Sequence, residues 1–591
     1  HGRGGGVRSW RHDRMRGGAG TRVSRAGRVG KRAKAKSRGA GGGGAPGTTA
    51  GARATRVEVA IPLQLLALAA ILAAALAATV STVRYEFLNW DDPVYVLENP
   101  WIRSWSWENL SYIFTKPYFN NFLPLHLLSY SLDYSLWGLK PFGYHLGQVL
   151  LHALNALLGF VVVRRLLGNF LVALLAALFF AVHSSHVEAI AWISSRKEVL
   201  STTFLLVSFY FYLRARASST LRLWPYALSI AAFALGLLSK LGVVTAPLFF
   251  ILVDWLVWKR PRRDRKFWTE VLVSKVPYAL AGLAAVLLNM GAQVQAQAPY
   301  AHDPLRYLMV KGHAVWNYTS LLVGARAGSP DYDTPALATT FLPVILNLAG
   351  LLLLPALVWF SLRRGYRTLA LGTGWILATL LPALAFPLVT YMAERYLYAP
   401  SLGFCWILGA GIVALGGRAA PGAARVAAIA TMAAIPLALF GYRTAVYNPV
   451  WANSEALWTY AMGRSTDYRV YTNLAQIRIN QKRYDEAEAL LKKSLGVENV
   501  TSYRSLAALY YETRRFDEAM AAIDKAAEIL AKKGNEPIER AEICYTRGAI
   551  YYGLSRPDKA LESWEEALIY NPRHAQAREW VATMRGAPKA R

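Results

Sequence analysis

Two adjacent carboxylates, Asp91 and Asp92, sit in the stretch Tyr85 to Pro93 (Tyr-Glu-Phe-Leu-Asn-Trp-Asp-Asp-Pro), directly after an apolar run long enough to cross a bilayer. Charges at a membrane edge are costly unless they are used or paired. A carboxylate just outside the lipid suits proton abstraction from an acceptor hydroxyl beside a membrane-held donor; the plainer reading is a polar turn that ends a span. A second group lies between two apolar runs in His183-Ser-Ser-His186-Val-Glu188-Ala-Ile-Ala-Trp-Ile-Ser-Ser-Arg196-Lys197-Glu198. His183 and His186 share a helix face, yet no convincing third ligand accompanies them and the pattern is not His-Glu-x-x-His, so no metal is expected. Arg196 and Lys197 fit phosphate recognition, Arg through its bidentate fork, or simple interface anchoring. Ser239-Lys240 and Glu394-Arg395-Tyr396-Leu397-Tyr398 complete the set. A lone cation at a membrane edge snorkels, whereas several converging beside carboxylates would stabilise a departing phosphate.

Such groups need spans to hold them. The chain has 591 residues, 54% hydrophobic and 12% aromatic, with positive mean hydropathy, which is too long for one soluble domain and too apolar for several. An integral membrane protein is the reading. A net charge of +30 would suit nucleic acid, but about fifteen of the Lys and Arg precede residue 57 and many others fill short gaps between apolar runs. That is the positive-inside pattern, so membrane lipids rather than nucleic acid are the expected surroundings. Cys405 and Cys544, far apart, give no disulfide framework and no thiolate metal site.

Residues 1–56 hold too few apolar side chains to offset chain entropy and are expected to form a disordered basic cytoplasmic tail. Val59 to Val83 is too long and too far along for a cleaved signal peptide and reads as a retained anchor leading outward. An external segment, 84–142, follows, rich in Trp, Tyr and Phe and suited to helices in the headgroup layer. Apolar runs then alternate: Phe142 to Val163 returns to Arg164-Arg165, Phe170 to Val182 goes out, Val199 to Leu213 in, Leu223 to Leu238 out, Val243 to Trp258 in. Val271 to Met290 goes out, Leu342 to Leu362 in, Leu369 to Leu388 out, Leu397 to Leu415 in and Val426 to Phe440 out. About eleven spans result, in a membrane domain over 57–441 with its N-terminus cytoplasmic and the C-terminus external. Arg306 to Val323, interrupted by Lys311 and His313, reads as a re-entrant or surface helix, because another span would place Arg363-Arg364 outside.

After a connector at 442–466, residues 467–584 read as about three helical repeats. Tyr484-Asp-Glu-Ala487 recurs as Phe516-Asp-Glu-Ala519 and, more loosely, as Pro557-Asp-Lys-Ala560 after an insertion at Lys532 to Pro537. Gly548, Tyr551, Ala560, Ala567 and Pro572 fall at the small, aromatic, small and terminal-proline positions of the tetratricopeptide repeat, whose stacked helix pairs form a concave groove.

Over roughly residues 59–584 the chain resembles the bacterial relatives of the transmembrane and tetratricopeptide-repeat-containing O-mannosyltransferases, polyprenyl-phosphate-sugar-dependent glycosyltransferases of the GT-C class. The resemblance rests on Asn89-Trp-Asp-Asp-Pro93, Asn121-Phe-Leu-Pro-Leu125, His183 to Lys197, Leu238-Ser-Lys240, Asp331-Tyr-Asp333, Glu394-Arg-Tyr-Leu-Tyr398 and the repeats behind them. It implies an all-α fold, a polytopic GT-C-like helical membrane domain followed by a C-terminal tetratricopeptide α-solenoid, in a bacterial inner membrane with the repeats outside. It also implies transfer of a sugar, mannose in the family's name, from a polyprenyl-phosphate donor to an acceptor hydroxyl on the external face, with a protein acceptor or partner in the repeat groove. By the same resemblance Asp91 is the general base, with Asp92 orienting the acceptor or exchanging roles. Lys240, Arg395, Arg196 and Lys197 hold the lipid phosphate, and His183, His186, Glu188 and Glu394 support them. No cofactor or metal is implied. Leu241 stands where the family often carries an acid after the lysine. A non-catalytic membrane-anchored repeat scaffold is the alternative reading.

Overall fold

The structure, a computed structural model, describes residues 60–586 apart from 219, 259–263, 291–301, 338–339, 389, 420, 497 and 534–536. The expected tail at 1–56 and the basic run at 259–263 lie outside the described residues. Among the described residues the regular elements are all helical, and the one isolated bridge of extended backbone pairs Tyr118 with Asn121.

The membrane part runs through α1 (Ile61–Thr79), α2 (Trp107–Thr115), α3 (Pro124–Trp137), α4 (Pro141–Leu167), α5 (Phe170–Val182), α6 (Val187–Ala191), α7 (Arg196–Ala215) and α8 (Leu223–Ser239). It continues with α9 (Ala246–Val257), α10 (Arg265–Val273), α11 (Val276–Met290), α12 (Pro304–Leu322), α13 (Phe341–Arg363), α14 (Arg367–Ala385), α15 (Tyr398–Gly416) and α16 (Ala423–Tyr447). Local signals set several boundaries: Gly168, at φ 71°, stops α4, and the Asn169 side chain then accepts from the Val172 N–H to start α5.

All eleven expected runs are helical. Among the described residues seven helices are long and apolar enough to cross a membrane, an eighth if α5 and the short helix after it count as one bent span, and Leu223–Ser239 and Leu241–Val257 are shorter apolar helices. The remaining run, α7, carries Arg196, Lys197 and Glu198 in its first turn. α12 is not among the seven. It packs across α13 backbone to backbone: a Cβ on Gly312 would fall on the Asn347 carbonyl oxygen, an approach only glycine permits.

α4, about 40 Å long at 1.5 Å per residue, defines two ends of the bundle. Near its start, the Tyr144 carbonyl and Gln148 meet Arg196, Ala189 and Trp192. Near its finish, Arg164 bonds Gln64 at the start of α1, and Arg165 lies over Tyr210 late in α7. Arg216 and Lys275 share Asp254 at that second end, at 3.2 and 2.8 Å.

Beyond α17 (Ser454–Met462) come the pairs α18 (Tyr468–Asn480) with α19 (Tyr484–Ser494), α20 (Val500–Glu512) with α21 (Phe516–Lys533), and α22 (Pro537–Gly553) with α23 (Pro557–Tyr570), closed by α24 (Ala575–Met584). Each pair turns through one left-handed residue, Lys482, Arg514 or Ser555 at φ 57–59°, just before the recurring Asp-Glu-Ala or Asp-Lys-Ala segment. A side chain on Gly548 would meet the Trp564 ring at 2.5 Å, which is why the consensus position is small. The connector is no loose tether. The chain from Glu58 onward forms a single compact unit, in which Leu88, Trp192, Trp451, Trp458, Val470 and Leu474 share one apolar core.

Candidate active site

The acid loop leaves α1 through the tight turn Val80–Arg84 and is gripped from two sides. The Glu86 N–H donates to the Ala452 carbonyl at 2.9 Å, the Asn89 N–H donates to Ser454 Oγ at 2.9 Å, and Asn89 Oδ1 accepts from Trp458 Nε1 at 2.6 Å. Trp90 stacks on Trp192 with ring centres 4.6 Å apart and packs on Trp458 at 5.0 Å. The loop is therefore wedged between the membrane bundle and the connector.

Asp92 is fully buried. Its carboxylate accepts from the Leu88 N–H at 2.9 Å, the Ser194 N–H at 3.0 Å and the Ser194 hydroxyl at 2.5 Å. Burial pushes the Asp92 carboxyl up to about 6 against the lowering effect of those three hydrogen bonds. With both oxygens engaged, Asp92 pins the loop to the segment before α7 and does not stand beside Asp91 facing a substrate. After Pro93 a wide helical turn, closed by the Glu98 N–H on the Pro93 carbonyl at 2.8 Å, carries the buried Tyr95 inward.

Asp91 is left half-buried, with no hydrogen bond to its carboxylate among the described residues. Its field acts on Lys197 and Arg395. Lys197, in the first turn of α7, lies with Nζ 4.9 Å from the Tyr95 ring centre. Lys240, at the end of α8, pairs with Glu198 and sits 4.7 Å over the Tyr396 ring. Arg395 pairs with the buried Glu188, whose Oε2 also accepts the Arg395 backbone N–H at 2.9 Å, and its guanidinium lies 5.0 Å from Tyr396 and 5.3 Å from Trp192. Side-chain exposures of 19% for Lys240 and 12% for Arg395 leave both reachable from outside. Three cations thus meet three carboxylates, Asp91, Glu188 and Glu198, and of these acids only Asp91 has no ion-pair partner among the described residues. The acid absent at Leu241 is supplied to Lys240 from a different helix by Glu198.

Other residues picked from the sequence are occupied elsewhere. Arg196 is buried, with its fork on Asp133 and on the Tyr144 carbonyl at 2.6 Å, so it braces α3 against α4 and does not join Lys197. His183 donates its Nε2–H to the Leu322 carbonyl at 3.0 Å and His186 bonds Ser401 at 2.7 Å, both buried among aromatic rings. Among the described residues no group of three His, Cys, Asp or Glu could hold a metal. Glu394 accepts from the Ser329 N–H at 2.6 Å and the Tyr332 hydroxyl at 2.8 Å; a Cβ on Gly328 would collide with its Oε1. Asp331 and Asp333 reach the repeats: Asp331 binds Arg469 at 3.0 Å, and Asp333 accepts from the Thr466 N–H and hydroxyl at 2.8 Å. Ser194, Glu198 and Trp458 escaped the sequence reading, the first two within a stretch that it had already marked.

The model described as "Dolichyl-phosphate-mannose-protein mannosyltransferase" matches residues 123–290, and tetratricopeptide repeat models match 468–501, 500–532 and 541–574. Among curated proteins, the chain is 26% identical over 473 residues to "Protein O-mannosyl-transferase Tmtc1" of Drosophila melanogaster, covering 63% of this chain and 54% of that one. It is 28% identical over 331 residues to "Protein O-mannosyl-transferase TMTC3" of Mus musculus, covering 49% and 35%. The chain spans about half, or less, of the length of the curated relatives it matches. Similar solved structures include an Archaeoglobus fulgidus oligosaccharyltransferase tethered to an acceptor peptide (TM-score 0.41, 14% identity, 72% of this chain and 59% of that one). Another is ArnT from Cupriavidus metallidurans bound to undecaprenyl phosphate (0.37, 15%, 85% and 78%). In the membrane part matched by the mannosyltransferase model, in its tetratricopeptide matches and in these curated counterparts, the chain is similar to the transmembrane and tetratricopeptide-repeat-containing O-mannosyltransferases.

Proposed function

We propose that this protein is a membrane glycosyltransferase that moves a sugar, mannose as in its relatives' names, from a polyprenyl-phosphate carrier to a hydroxyl of a protein acceptor. The observation that carries this is the unbonded Asp91 carboxylate set against Lys197 and Arg395, with Lys240 beside those two cations. The acceptor oxygen attacks the anomeric carbon as the bond from that carbon to the phosphate oxygen breaks. Asp91 takes the hydroxyl proton, and the electron pair leaves with the lipid phosphate, which the cations hold. Proton uptake by Asp91 removes one negative charge from beside the cations just as the phosphate gains one. No metal enters the scheme. We place this end of the bundle outside the membrane and the end bearing Arg164, Arg165, Arg216 and Lys275 in the cytoplasm, so that the repeats share the site's compartment and offer the acceptor at high local concentration.

The test is transfer from polyprenyl-phosphate-mannose in proteoliposomes containing the full chain. Wild type transfers sugar. Asp91→Asn does not, yet melts within about 0.5 kcal/mol of wild type, because the half-buried carboxylate makes no hydrogen bond or ion pair among the described residues. Full activity in Asp91→Asn refutes the assignment. A repeat scaffold gives no transfer with any variant.

A further inference from the structure

One polar side chain beside the cluster has no part in that scheme. His126, in the first turn of α3, is 0% exposed, and neither of its ring nitrogens has a hydrogen-bond partner among the described residues. Aromatic edges surround it: Tyr95 at 5.1 Å and Tyr130 at 4.6 Å. The Tyr95 ring is also the one over which Lys197 Nζ lies at 4.9 Å, so the imidazole and the ammonium share one wall.

The charges acting on His126 from the packed elements are Lys197 and Arg196 of α7 and Lys240 at the end of α8, all positive. Burial first, and these cations second, hold the imidazole well below its ordinary range. A histidine so placed is a poor proton acceptor, but it keeps one N–H to donate. Buried polar groups are almost always bonded, and an unpaired donor in the field of three cations is complementary to an anionic oxygen. Neutral imidazole acting as a hydrogen-bond donor to developing negative charge is an established catalytic device.

We propose that His126 is a further binding residue of the proposed transferase site, donating its N–H to an oxygen of the lipid phosphate held by Lys197 and Lys240. This rests on the function proposed above. The approach runs along Tyr95 from the half-buried Lys197, where the Tyr118–Asn121 turn sets Phe119, 43% exposed, against Tyr95 at 5.4 Å.

The test uses the full-length protein in detergent, melted alone and titrated with a short-chain polyprenyl monophosphate, with the phosphate-free polyprenol as control. His126→Leu should melt at or above the wild-type temperature without ligand, since it removes an unsatisfied polar group. It should bind the monophosphate about tenfold more weakly, equivalent to about 1.4 kcal/mol. His126→Gln, which restores an N–H donor, should bind within about threefold of wild type. Wild-type affinity in His126→Leu overturns the proposal, as does a His126→Leu protein that melts well below wild type, for the imidazole would then have a structural partner. Equal binding of the polyprenol also overturns it. Wild type that binds neither lipid removes the transferase reading along with this one, whereas binding in Asp91→Asn without transfer keeps both.

Discussion

Replacing Asp92 with asparagine sets two terms of similar size against each other. Three donors converge on the carboxylate, from Leu88 N–H, Ser194 N–H and the Ser194 hydroxyl. An amide offers one oxygen. If that oxygen keeps the Ser194 pair, the new NH2 faces the Leu88 N–H and leaves a buried donor unpaired, at a cost of about 1–3 kcal/mol. The opposing term is the buried charge. A folded-state value of about 6, against 3.8 for a free carboxyl, means that the folded protein binds more protons than the unfolded chain between roughly pH 4 and pH 6. The sign follows: the stability tied to the proton is fully present below pH 4 and is lost as pH rises through 6, about 3 kcal/mol in all. The substituted amide never ionises and lacks that slope. The Asp92→Asn protein should therefore be less stable than wild type by about 1–3 kcal/mol at pH 4 and equal to it, or up to about 2 kcal/mol more stable, at pH 7. Melting of the purified protein in detergent from pH 4 to 8, with proteolysis of the 85–99 segment as a local probe, reads both numbers. Parallel pH profiles for the two proteins would show that Asp92 is not the titrating group and would break the reasoning.

Arg395→Met strands Glu188 as a buried unpaired charge and should cost about 3–5 kcal/mol, while Arg395→Met with Glu188→Gln recovers most of that loss; a double variant no more stable than the single one in thermal melts would contradict the pairing. Deleting residues 496–591 spares α17 to α19 and should reduce transfer to a protein acceptor far more than to a short soluble one, whereas a deletion starting at 454 should abolish both, because it removes Ser454, Trp458 and Arg469 from the acid loop and the Asp331 segment; equal transfer by the two truncated proteins would refute this.

The spans and repeats were legible because both are written locally, as apolar runs of about twenty residues and as a motif recurring at a near-fixed interval. The carboxylate doublet was legible as chemistry, but not which member is free. That choice is made by Ser194, 102 residues away, which claims Asp92. Arg196 and Lys197 were read as a pair of phosphate ligands, yet neighbours on a helix point about 100° apart. One faces Asp133 and Tyr144 while the other faces Tyr95. Glu198 was in view from the start, but only the packing of α7 against the end of α8 makes it the partner of Lys240. The expected boundary near 442–466 divides two compositions rather than two bodies, because the connector's aromatic residues complete a core that the acid loop begins.

The grip of Ser454 and Trp458 on Asn89 has a consequence in time. The two halves of that contact are 365 and 369 residues apart in the chain. At about 5–20 residues per second, a ribosome that has finished the acid loop needs about 20–70 s to deliver its partners. For most of that interval the acid loop has only its bundle-side partners, Trp192 on Trp90 and Ser194 on Asp92. A chain cut short between residues 396 and 453, by a stop codon or a protease, therefore carries Asp91, Lys197, Lys240 and Arg395 and still lacks the contacts of Ser454 and Trp458 with the acid loop. The acid loop is closed on its second side only once synthesis has passed Trp458.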